Sequence, residues 1–78
     1  MVYEIYGIED VNYTSRKTGR QVRATNLHCV YNRDSINGTG CERLYVPNTV
    51  DMPHDLDIGD HIEVYYNRFQ TVEKVVKV

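Results

Sequence analysis

The chain has 78 residues, 41% of them hydrophobic, with nine Lys plus Arg against eleven Asp plus Glu, two cysteines and a formal net charge of −2. This length excludes two domains and lies near the lower limit for a self-sufficient core, because so short a chain buries only about 60% of the surface its unfolded form exposes. The charge argues against a generic basic nucleic-acid binder, whose pI usually exceeds about 9, and the shortness of every apolar run argues against a membrane-spanning helix.

Residues 2–14, VYEIYGIEDVNYT, are rich in Val, Ile and Tyr and read as one long, bent strand. Ile5, Val11 and Tyr13 share one parity, and Val2, Tyr6 and Ile8 the other. Gly7 lies between the two hydrophobic stretches, where a missing side chain permits a bulge or sharp coil of the kind that closes a small barrel. SRKTGR at 15–20 supplies a turn, with Gly19 suited to positive φ.

Residues 20–32, RQVRATNLHCVYN, form a second extended segment whose apolar parity changes between Val22/Ala24 and Leu27/Cys29/Tyr31. A bulge near Thr25 and Asn26 is expected to account for the change. RDSINGTG at 33–40 contains Asn37-Gly38 and Gly40, a loop or hairpin signal. CERLYV at 41–46 is a third strand, ended by Pro47.

NTVDMPHDLDIGD at 48–60 has too little apolar periodicity for a helix beyond a single irregular turn. HIEVYY at 61–66 alternates and is a fourth strand. Asn67-Arg68 makes a tight connection to a fifth, FQTVEKVVKV, with Val72, Val76 and Val78 expected on one face.

Five strands in one domain spanning 1–78, the first two long and bent, predict an all-β fold. A small five-stranded OB-like barrel is favoured, with an SH3-like barrel as the alternative; a sandwich needs about seven strands and about 100 residues. So small a core calls for outside support, and a homodimer is the simplest source. Cys29 and Cys41 are expected to be free thiols of an intracellular, cytoplasmic protein, since Met1 leads at once into strand-like VYEIYGI without a basic start or an apolar run.

The average charge hides a partition. From Val11 to Arg33 the chain carries Arg16, Lys17, Arg20, Arg23 and Arg33 and no acid; from Leu44 to Asn67 it carries Asp51, Asp55, Asp57, Asp60 and Glu63 and no Lys or Arg. The basic segment is the first hairpin, flanked in sequence by Tyr13 and Tyr31. Cations that track phosphates beside flat rings on which bases stack are what a sequence-tolerant single-strand binder requires. Each feature also has a plainer role, Tyr as a common strand residue and SRKTGR as a solvated tip; their joint appearance favours binding. Tyr66, Asn67, Arg68 and Phe69 form a second cluster, a turn too tight to bury all its rings.

The basic turn SRKTGRQV, the strand LHCVY and the terminal hairpin YNRFQTVEKVVKV together resemble the small single-stranded-DNA-binding proteins of filamentous phages, the gene V type, across roughly half the chain. The resemblance implies a dimeric barrel that coats single-stranded DNA cooperatively and without sequence preference during replication of a phage or mobile element. Phosphate contacts would fall on Arg16, Arg20 and Arg23, with Lys17 an addition, and Phe69 would be the tip aromatic with Arg68 beside it. Tyr31, Tyr45 and Tyr66 are the stacking candidates. DNA and RNA are not distinguished. The acidic 51–63 segment and the shorter central region depart from the family, and the acidic segment is a candidate surface for a replication-protein partner.

Competing chemistry finds less support. Cys29, Cys41, His28, His54 and His61 are metal-ligand types, yet no C-x-x-C or H-x-x-x-H pair occurs, and adjacent His28 and Cys29 point to opposite faces of a strand. Asp55, Asp57 and Asp60 have no basic or hydroxyl partner near in sequence, and no nucleotide or hydrolase fingerprint is present. No catalytic residue, metal or cofactor is expected. The alternative function is a small β-barrel protein-protein interaction module of a phage or conjugation complex, without nucleic-acid binding.

Overall fold

The computed structural model describes residues 2–78. Strands β1 (Val2–Thr14), β2 (Gln21–Tyr31), β3 (Gly40–Pro47), β4 (His61–Tyr66) and β5 (Val72–Lys77) follow one another, with no helix among the described residues. All pair antiparallel in one sheet of order β3-β2-β1-β4-β5. β4 therefore pairs with β1 and not with β3, which rules out an SH3-like run of consecutive hairpins and gives the order of an OB-type barrel opened between β3 and β5. The two end strands lie against each other. Near that seam Asp51 makes a parallel bridge to Lys74, and the Val75 N–H donates to the Asp51 carbonyl at 3.0 Å.

The ladder is interrupted in β1 between Ile5 and Gly7, so Tyr6 is the bulged residue, as the glycine implied. A side chain at position 7 would come within 3.3 Å of His28 Cβ. No bulge occurs near Thr25 and Asn26, because β2 pairs rung by rung with both neighbours through that stretch. The parity change there has another cause. Leu27, Cys29 and Tyr31 face the barrel interior, whereas Val22 and Ala24 line the opposite face of a β1–β2 arm that extends past the end of β3 at the Ala24–Pro47 rung. The molecule is correspondingly elongated, 43 × 26 × 19 Å.

The core gathers Tyr3, Ile5, Leu27, Cys29, Leu44, Val46, Ile62, Val64, Val72 and Val75. β5 departs from the expected alternation. A register shift opposite Tyr65 and Tyr66 inserts a residue, so Val72 and Val75 both turn inward while Val76 lies opposite Glu63 and Val78 is 65% exposed. Its turn spans 67–71, longer than Asn67-Arg68 alone, and Pro47 belongs to β3 through its pairing with Ala24.

The 48–60 segment is a plug with no helical turn. Val50, Met52 and Leu56 pack on the core, and the Gly59 N–H donates to the Ile5 carbonyl at 2.8 Å. Asp60 secures it: Oδ2 accepts the Asp57 N–H at 2.8 Å, and Lys77 Nζ, 3.3 Å from that oxygen, also reaches Asp55 at 3.6 Å. The Asp57 N–H first, and then the Lys77 ammonium, hold the Asp60 carboxyl below the usual aspartate range. A carboxyl depressed in the fold stabilises it above the unfolded pKa, near about 4, and that contribution is lost as pH falls through the folded value. Melting temperature should therefore drop on acidification below about pH 4, and Asp60→Asn should make that drop shallower. An identical acid limb in the variant would show that the plug does not depend on this carboxylate.

Candidate nucleic-acid interface

The side chains of the outer sheet face are placed by the β1–β2–β3 register. Directly paired residues share a face, and alternate residues along a strand share it too. The outer face, turned away from the core, therefore carries the rungs Tyr13–Val22, Val11–Ala24–Pro47, Glu9–Asn26–Tyr45 and Gly7–His28–Arg43. Tyr13 is 51% exposed, Tyr45 44%, and Tyr6, which shares a surface depression with His28 and Arg43, 63%. Rings at such positions leave much of their surface open to stacking.

Beyond this face the arm ends in the basic turn. The Ser15 N–H donates to the Arg20 carbonyl and the Gly19 N–H to the Ser15 carbonyl, both at 2.8 Å, and Gly19 adopts φ of 69°. Arg16, Lys17, Arg20 and Arg23 are exposed and form no ion pair among the described residues. Arg23 pairs with Asn12 and so emerges on the opposite face of the arm from Tyr13. Arg16, Lys17 and Arg20 thus sit in the turn at the tip, with Arg23 one rung past the end of β3. The tip stands ~10 Å past the end of β3, three rungs at ~3.3 Å each.

At the other end, the β4–β5 turn displays Phe69, 72% exposed, with the Arg68 guanidinium 4.9 Å from its ring centre. Asn67 Oδ1 fixes the turn by accepting the Phe69 N–H at 2.8 Å and the Thr71 N–H at 3.1 Å. Tyr66, 39% exposed, lies at the root of this turn. Tyr31 is unlike the other candidates. It has the interior parity, packs against the core with its ring edge-on to Tyr3 at 5.5 Å, and carries the Arg33 guanidinium 5.2 Å from its centre. Gly40 makes room for it, since a Cβ there would sit 2.6 Å from the ring. Its ring is a packing element of the barrel end.

One acid occupies the middle of the outer face. Glu9 Oε1 lies 3.1 Å from His28 Nε2 and accepts from Asn26 Nδ2 at 3.3 Å. The His28 hydrogen bond, then that of Asn26, holds its carboxyl below the usual range, and Arg43 adds to the effect. Glu42 also lines the depression that Tyr6 shares with His28 and Arg43. The plug residues Met52, Pro53, His54 and Leu56 share a cleft with Ile8, Asp10, Thr25 and Leu27, all of interior parity, while Asp55 is paired with Lys77 and Asp51 bridges to Lys74 of β5. Cys29 is buried and Cys41 exposed, both free; burial, with Glu42 nearby, pushes the Cys29 thiol up to about 11 and leaves it unreactive.

Tyr6 and Arg43 lie on this candidate surface but are not among the candidates read from the sequence, and Tyr13 enters that reading only as a ring flanking the basic hairpin. Their membership depends on the bulge and on cross-strand register, neither of which is local in sequence.

What the fold and this surface define is a five-stranded, OB-like all-β domain with an aromatic outer sheet face set between a basic tip and an aromatic tip. No family model matches the chain, and no curated protein or solved structure matches it. No helix among the described residues is long and apolar enough to cross a membrane.

Proposed function

We propose that the protein binds single-stranded nucleic acid without strong sequence preference, and single-stranded DNA in particular. The observation that carries this reading is the exposure of Tyr6, Tyr13 and Tyr45 with Arg43 on the outer β1–β2–β3 face. The corresponding face and the β1–β2 and β4–β5 loops of OB folds are where oligonucleotides bind. Each base stacked on a ring is worth about 1–3 kcal/mol and every base has a π-face, so affinity arises without base reading. The unpaired cations at Arg16, Lys17, Arg20 and Arg23 supply phosphate contacts, and Phe69 with Arg68 offers a further ring and charge at the opposite end. The net charge of −2 is compatible with this, because the cations of the basic arm form no ion pair with an acid among the described residues.

The test is a titration with oligothymidine followed by tyrosine emission. Stacking quenches it; a protein-interaction module that does not bind nucleic acid leaves it unchanged.

A further inference from the structure

The open seam of the barrel leaves a cleft of about 290 Å³ between β3 and the β4–β5 turn. Glu42, Arg43 and Tyr45 form one wall, Tyr66 and Thr71 the other, and the buried Leu44 and Val72 lie beneath. The far wall is shaped by its turn, where Asn67 Oδ1 accepts two backbone N–H groups and Gln70 adopts φ of 63°, a left-handed conformation that side-chain-bearing residues avoid.

Tyr66 is also anchored from behind. The Tyr3 hydroxyl donates to Glu42 Oε2 at 3.1 Å, so its 3.4 Å contact with the Tyr66 hydroxyl has Tyr66 as the donor. Tyr3 is 4% exposed, and burial first, then the Tyr66 contact, keep its phenol protonated far above the ordinary tyrosine range. A buried residue with no access to a ligand thereby contacts the hydroxyl of an exposed ring from behind.

We propose that this cleft holds one unstacked base of a bound single strand between Tyr45 and Tyr66, with Arg43 at the rim for its phosphate and Tyr3 acting as the positioning residue for Tyr66. The proposal rests on the single-strand reading and gives it a defined pocket. An aromatic-walled cleft with an apolar floor suits a flat base, and a guanidinium at its lip suits the attached phosphate.

The experiment combines crosslinking with a double-mutant cycle on the full chain. Irradiating the complex with an oligothymidine that carries one 5-iodouracil should attach the strand at Tyr45 or Tyr66. Tyr3→Phe, which keeps the buried ring, should weaken oligothymidine binding about three- to fivefold with an unchanged salt slope, since no phosphate contact is lost. In a Tyr66→Leu background the same change should have no further effect. Crosslinks confined to residues 2–31, or additive losses in the cycle, would overturn the pocket while leaving strand binding in place. Absence of any oligothymidine binding by the folded wild-type protein would overturn the single-strand reading and the pocket with it.

Discussion

Replacing Arg16, Arg20 and Arg23 together by Ala is expected to weaken single-strand binding about a hundredfold at low salt, taking ~1 kcal/mol for each charge-assisted phosphate contact. All three are exposed and without an ion pair among the described residues, so their removal leaves no charge unpaired and the fold unchanged. The loss should be similar for every sequence. It should also make the dependence of log affinity on log salt shallower by about 2, at about 0.7 per phosphate on a single strand. Equal affinity and slope in the triple variant would remove the arm from the interface.

Leu27→Ala is the substitution expected to harm stability most. Leu27 is fully buried, and its rung runs from Ile8 through Leu27 to Leu44, where β1, β2 and β3 meet the plug. Truncation there costs about 3 kcal/mol in lost transfer energy and residual cavity. A domain of this length has only about 4–12 kcal/mol to lose, at ~0.05–0.15 kcal/mol per residue. The melting temperature should fall by roughly 15–20 °C. Val22, half-buried on the arm's outer face, is the control, since Val22→Ala should cost far less. Comparable melting temperatures for the two variants would contradict the core assignment.

How far the sequence alone leads can be judged from particular residues. The bounds of β1 and β4 and the turns at Gly19 and Gly38 are legible because alternation and positive-φ residues act locally. β5 is less so: the extra residue opposite Tyr65 and Tyr66 exists only in relation to β4, and no local pattern announces that Val75 will turn inward. β2 misleads for a physical reason. Different faces are apolar along its length, one against the barrel interior and the other along the arm, and a change of covered face looks like a bulge when read as a string.

The candidate site divides in the same way. The basic turn and the Phe69 tip are contiguous in sequence and are readily found. Tyr45 is exposed on the outer face, as a stacking role requires, while Tyr31 is turned inward by the parity it shares with Leu27 and Cys29. Tyr6, Tyr13 and Arg43 come together only once the Gly7 bulge and the β2–β3 register are known.

The central claim is affinity for single strands, and its most direct test is oligothymidine titration of the folded protein, monitored by tyrosine emission across a range of salt. Saturable quenching is expected, with log affinity falling linearly against log salt at about −0.7 per neutralised phosphate, or roughly −2 to −3 for the arm cations. No quenching and no mobility shift at the lowest salt would contradict the account and leave the exposed tyrosine face to a protein partner.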